Sequence, residues 1–151
     1  MRRATVESPV GRVQVTAVDD AIVRIDWGGA PRRAEDRLLN DALEQLQAYF
    51  DGELRDFALP LAPAGSAFQH SVFDAMSAIP YGSTRSYGEI AEDLNGFAQA
   101  VGQACGANPI PIVIPCHRVL ARDGLGGYSG AGGIETKIQL LQLEGGYPYL
   151  I

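Results

Sequence analysis

At 151 residues the chain can form one domain, or two small ones sharing an interface. An apolar fraction of 46% excludes disorder as the starting assumption. Twelve Lys and Arg against eighteen Asp and Glu leave a net charge of −6, which argues against a broad basic face for nucleic acid. No run is long and apolar enough to cross a bilayer, and no apolar stretch follows Met1-Arg2-Arg3-Ala4-Thr5 as a signal peptide requires. A cytosolic protein with reduced thiols is therefore expected. Its two cysteines, Cys105 and Cys116, then read as a core thiol and a working thiol rather than a disulfide. Only His70, His117 and these cysteines are good soft ligands; their spacing matches no zinc pattern, and no cofactor is expected.

Along the chain the first part reads as β. Val6, then Val13, Val15 and Ala17, then Ile22, Val23 and Ile25 fall in short, partly alternating segments separated by Gly11 and Asp19-Asp20. Trp27-Gly28-Gly29 ends the third. Leu39, Ala42, Leu43, Leu46, Tyr49 and Phe50 recur at helical spacing and predict a helix over about residues 36–50, stopped by Asp51-Gly52. The breaker-rich run Leu59-Pro60-Leu61-Ala62-Pro63-Ala64-Gly65 marks a boundary between modules of residues 1–62 and 66–151.

The second module reads as mostly helical. Ser66 and Gln69 form a capping box ahead of a stripe of Phe68, Val72, Phe73, Met76 and Ile79. Ser86 and Glu89 form another, opening a short helix through Ile90, Ala91 and Leu94. Asn95-Gly96 turns the chain into a third helix over about residues 97–106, with Val101, Ala104 and Cys105 facing inward. The pair resembles a helix-turn-helix. A Pro-bounded, β-branched strand is expected over Pro111-Ile112-Val113-Ile114-Pro115, then a glycine-rich loop over residues 124–133. A last helix carries Ile134, Ile138 and Leu141 on its apolar stripe and ends at Gly145-Gly146.

Where that strand stops, Cys116-His117-Arg118 follows at once. A thiol there has an apolar pocket to sit in, and a neighbouring imidazole lowers its pKa. Adjacent side chains on a strand point apart, so a water is expected to bridge the two unless the chain turns at Cys116. Position alone does not decide the matter, because a lone buried cysteine is usually a small core residue.

An ordered set of motifs decides it. Ile79-Pro80-Tyr81-Gly82, Ser86-Tyr87-Gly88-Glu89-Ile90-Ala91, Ala100-Val101-Gly102, Asn108-Pro109, Ile114-Pro115-Cys116-His117-Arg118-Val119, Gly127-Tyr128-Ser129-Gly130 and Leu143-Glu144-Gly145 cover residues 66–146 almost without a break. In this set and order the second module resembles the O6-alkylguanine-DNA alkyltransferases, and the first resembles the variable β/α domain that precedes it in that family. The resemblance implies an α+β fold: a small N-terminal sheet-and-helix domain, then a mostly helical alkyltransferase domain with the helix-turn-helix-like pair. It implies one irreversible transfer of an alkyl group from guanine O6 to Cys116. His117 would be the base and Glu144 its orienting carboxylate. Asn108 would brace the turn beneath the cysteine. Tyr87 would hydrogen-bond the leaving base and Ser129 would hold O6, with Tyr128, Val119 and Gln99 completing the substrate side. Some relatives hold zinc in the first domain; the ligands are absent here.

The chain departs from the pattern at the recognition helix. Relatives place an arginine directly before Ala-Val-Gly; here Gln99 stands there, and residues 97–110 contain no charge. From residue 66 onward Arg85, Arg118, Arg122 and Lys137 are outnumbered by acids. Lys and Arg contacts to phosphate supply most non-specific DNA affinity. Alkylated DNA is thus the expected partner of a monomer, with weak duplex binding. Alternatives are an alkyl acceptor acting on free base, single strand or another small electrophile, and a non-enzymatic sensor of altered bases.

Overall fold

The three N-terminal segments form one antiparallel meander in the computed structural model, which describes residues 1–122, 124–128 and 130–145. β1 (Arg2–Val6), β2 (Val13–Val18) and β3 (Ala21–Trp27) lie in the order β1-β2-β3. A register shift at Thr16/Ala17 explains why the alternation is only partial: Thr16 is buried together with Val15 and Ala17. α1 (Arg37–Phe50) begins at Asp36, whose carboxylate accepts from Leu39 N at 2.9 Å. Its buried residues Leu39, Ala42, Leu46, Tyr49 and Phe50 belong to the same unit as the sheet core of Ala4, Val13, Val15, Ile22 and Ile25.

The chain divides into two compact units, Met1–Ala64 and Gly65–Ile151. The breaker-rich run does more than separate them. Ile22 N donates to Pro60 O and Ala62 N to Ile22 O, both at 2.8 Å, so Leu61 pairs with the start of β3.

In the second unit both capping boxes form as the sequence predicts, opening α2 (Ala67–Ser77) and α3 (Tyr87–Asp93). Asn95 takes a positive φ of 53°, and the chain turns there into α4 (Ala98–Gly106), which packs on α3 and α2. A short parallel pair, β4 (Arg85–Ser86) with β5 (Val119–Leu120), joins the start of α3 to the segment after Arg118. α5 (Ile134–Glu144) completes the described part.

Two expectations are corrected. Residues 111–115 are not a strand but a tight turn. Ile114 N donates to Ile110 O at 2.9 Å, and Ile112 sits at φ 75°, a left-handed conformation that costs a β-branched residue roughly 1–3 kcal/mol. Asn108 holds the turn closed: its Nδ2 donates to Ile114 O at 2.8 Å, and its Oδ1 accepts from Ile110 N at 3.0 Å. The buried face of α5 is also not the Ile134–Ile138–Leu141 stripe. Ile134 is 41% exposed, and the buried residues are Thr136, Lys137, Leu140, Leu141 and Glu144.

Candidate active site

Because residues 111–115 turn, Cys116 begins a single 3-10 turn, Cys116–Arg118, instead of ending a strand. Successive side chains then diverge by about 120° rather than 180°. All three residues are buried. The His117 ring is wholly buried, with Nε2 2.8 Å from Glu144 Oε2. A carboxylate can only accept, so Nε2 carries the proton and Nδ1 presents a lone pair. Nδ1 is buried with no hydrogen-bond partner among the described residues.

Glu144 reaches this turn from the last position of α5. Its two oxygens also accept from Arg118, Nε to Oε1 at 2.8 Å and Nη2 to Oε2 at 3.0 Å. Arg118 Nη1 donates to Ile79 O at 2.7 Å, so the guanidinium fastens the end of α5 to the end of the α2 segment. This is the structural ion pair that a buried arginine requires.

Cys116 opens on a cavity of about 470 Å³ lined by Tyr87, Gly102, Cys105, Gly106, Cys116, Gly127 and Tyr128. That volume is within the range of small-ligand sites. Burial pushes the Cys116 thiol up, opposed by a hydrogen bond with the Asn108 side chain and by the positive charge of Lys137. Burial pushes His117 down, opposed by its hydrogen bond to Glu144 and the Glu144 charge. The resting pair is therefore neutral thiol and neutral imidazole. The arrangement can pass a proton from sulfur towards Nδ1 while Glu144 supports the imidazolium that forms.

Burial pushes the half-buried Tyr87 phenol up to about 12, so it remains a donor at neutral pH. Gly126, at φ 72°, lies against it: a Cβ there would come within 3.0 Å of the Tyr87 hydroxyl and ring. Gly102 and Gly106 line the cavity from α4, and a Cβ on either meets nothing within 4 Å.

The structure brings Cys116, Tyr87 and Tyr128 to the cavity, Asn108 beneath the turn, and His117 and Glu144 together. Val119 is wholly buried in β5 and is not among the cavity-lining residues. Gln99 lies apart from them, exposed in the first turn of α4 beside exposed Phe97 and Ala98. Ser129 lies outside the described residues. Cys105, read as a core thiol, is buried but also lines the cavity, and its Sγ is 3.5 Å from Met76 Sδ.

Lys137 is the residue that sequence reasoning missed. Counted as a surface charge, it is fully buried and donates to Val119 O, Leu125 O and Gly127 O at 2.7, 2.5 and 3.1 Å. The available signal was its heptad spacing to Glu144 on a face shared with Leu140 and Leu141. Of the four cations in the second module, Arg118 and Lys137 are thus buried, and Arg85 pairs with Asp93 at 2.8 Å. Arg122 is exposed.

These features define a two-unit α+β protein with a buried cysteine lining a cavity beside a helix pair and, next to it in sequence, a buried histidine paired with a glutamate. Known proteins share both units. Residues 67–146 match the DNA binding domain of 6-O-methylguanine DNA methyltransferase, and residues 1–63 match its ribonuclease-like domain. A methylated-DNA–protein-cysteine methyltransferase of Methanosarcina acetivorans is 40% identical, covering 96% of this chain and 99% of that one. One of Mycolicibacterium paratuberculosis is 46% identical, covering 93% and 90%. The crystal structure of Mycobacterium tuberculosis OGT in complex with DNA superposes with a TM-score of 0.84 at 42% identity, covering 95% of this chain and 92% of that one. The chain belongs to the 6-O-methylguanine DNA methyltransferase family.

Proposed function

We propose that this protein repairs O6-alkylguanine in DNA directly, moving the alkyl group once and irreversibly onto Cys116. The observation that carries this reading is the Cys116 thiol on a base-sized cavity, with the His117–Glu144 pair buried beside it. The Cys116 proton passes to His117 Nδ1 through a bridging water, since the sulfur is not a direct hydrogen-bond partner of that nitrogen. The thiolate attacks the alkyl carbon in line. The carbon–sulfur bond forms as the carbon–O6 bond breaks, and the electron pair leaves on guanine. Tyr87 donates a hydrogen bond or proton to that leaving base. The thioether has no facile route back, so each molecule reacts once. Asn108 holds the turn that presents the sulfur, and Tyr128 lines the base side. Metal or other cofactor chemistry has no part in this scheme.

Extruding a base from a duplex costs a few kcal/mol. A recognition helix that begins Phe97-Ala98-Gln99, in a module whose cations other than the exposed Arg122 are buried or paired, offers few phosphate contacts to offset it. We therefore expect weak duplex affinity, in a protein whose sequence reads as a cytoplasmic monomer. A second reading, in which the alkyl donor is a free base or single strand, is an outcome of the test that follows.

Intact mass after incubation with O6-methylguanine duplex, the matching single strand and free O6-benzylguanine separates the two. An alkyl adduct on Cys116 from the duplex is the expected result. An adduct from the free base alone would replace duplex repair with the second reading, and none from any donor would end both. Tyr87→Phe is expected to slow transfer about 100-fold without blocking the adduct, since a positioned proton donor contributes roughly 10²–10⁴. Rapid-quench single-turnover kinetics measure it, and an unchanged rate would remove Tyr87 from the chemistry.

A further inference from the structure

The chain contains a single lysine among twelve basic residues; the other eleven are arginine. That lysine, Lys137, is fully buried. Its ammonium has three donors, and three carbonyls receive them: Val119, Leu125 and Gly127. An arginine could not substitute at this point. Its five donors lie in a rigid plane, whereas the three acceptors converge on one nitrogen. The carbonyls come from two places. Val119 directly follows the Cys116–Arg118 turn, while Leu125 and Gly127 belong to the glycine loop, in which Gly127 lines the cavity.

The groups facing the ammonium are Cys116 and His117 from the turn, Cys105 from α4 and Tyr87 from α3, whose ring centroid lies 5.8 Å from Nζ. Apart from His117, which carries no charge in the resting state, these groups become anionic when they ionise. A cation here therefore favours negative charge at the cavity. Burial pushes Lys137 down to about 8, and both sulfurs oppose that shift.

We propose that Lys137 is a positioning residue for alkyl transfer: it ties the glycine loop to the Cys116 turn, which sets the base cavity, and places a fixed positive charge near the reacting sulfur. This rests on Cys116 being the alkyl acceptor, and deepens that reading by naming what holds its cavity in shape.

The test uses Lys137→Met and Lys137→Arg in the full chain, with three readouts. These are transfer rate, the thiolate titration followed by ultraviolet absorbance in Cys105→Ala backgrounds, and thermal stability. Lys137→Met is expected to slow transfer more than tenfold and to move the thiolate midpoint upward. Lys137→Arg is expected to keep the midpoint closer to that of the parent while still slowing transfer, because the charge survives and the tether does not. A merely structural lysine would lower stability and leave the midpoint where it was; that result would overturn the proposal, as would wild-type transfer by Lys137→Met. If wild type itself forms no adduct, the acceptor reading has failed, and the midpoint still reads the lysine. Should both variants fail to fold, the wild-type protein supplies the answer. Its one lysine gives one assignable ¹⁵Nζ resonance, and slowly exchanging ammonium protons are expected. Rapid exchange with water would show that no tether exists.

Discussion

Cys116→Ala is expected to abolish alkyl uptake completely from every donor while leaving the protein folded. The side chain lost is small, so the cavity penalty is modest, well under the roughly 2–5 kcal/mol of a Leu→Ala change. Cys105→Ala is the informative companion, because both thiols line the same cavity. Burial pushes Cys105 up to about 12, its sulfur contacts Met76, and it has no imidazole–carboxylate pair in support. It should therefore remain a thiol when an electrophile enters, and Cys105→Ala should retain full stoichiometric uptake. Intact and peptide mass spectrometry decide the matter. An adduct persisting in Cys116→Ala, or lost in Cys105→Ala, would move the nucleophile to α4.

The helices of this protein were legible because their signals are local. Ser66 with Gln69 and Ser86 with Glu89 are three residues apart, and each box closes within one turn. The meander was legible from its short β segments, though not the register shift at Thr16, which depends on pairing with β3. The segment 111–115 has the composition of a strand but folds as a turn. Its conformation is set by Asn108, several residues upstream, bonding both ends and holding Ile112 in a left-handed conformation that propensity would never choose. The site residues were legible only as a motif set. Composition could not say that His117 and Glu144 meet, because 27 residues separate them. Nor could it say that Lys137 leaves the surface, because three carbonyls in other segments make its burial tolerable.

Glu144→Gln is expected to be the most damaging single change away from the thiol. The side chain keeps its shape, but the charge that faces both Arg118 and His117 is removed. Breaking a buried ion pair by neutralising one partner costs about 3–5 kcal/mol, since the remaining charge is left unpaired. For a unit of this size that lowers the melting temperature by more than about 10 °C. Transfer should also fall steeply. Glu144 opposes the downward push of burial on His117, so without it the imidazole binds the thiol proton less readily. A second substitution separates the two effects. Adding Arg118→Met removes the orphaned guanidinium and should recover part of the stability, as replacing buried ion pairs with apolar groups often does. It should recover none of the transfer rate, because the carboxylate behind His117 is still missing. Calorimetry and single-turnover kinetics on the two variants measure both quantities. If stability and rate returned together, Glu144 would act only as the anchor of Arg118, and the proton path through His117 would need another support.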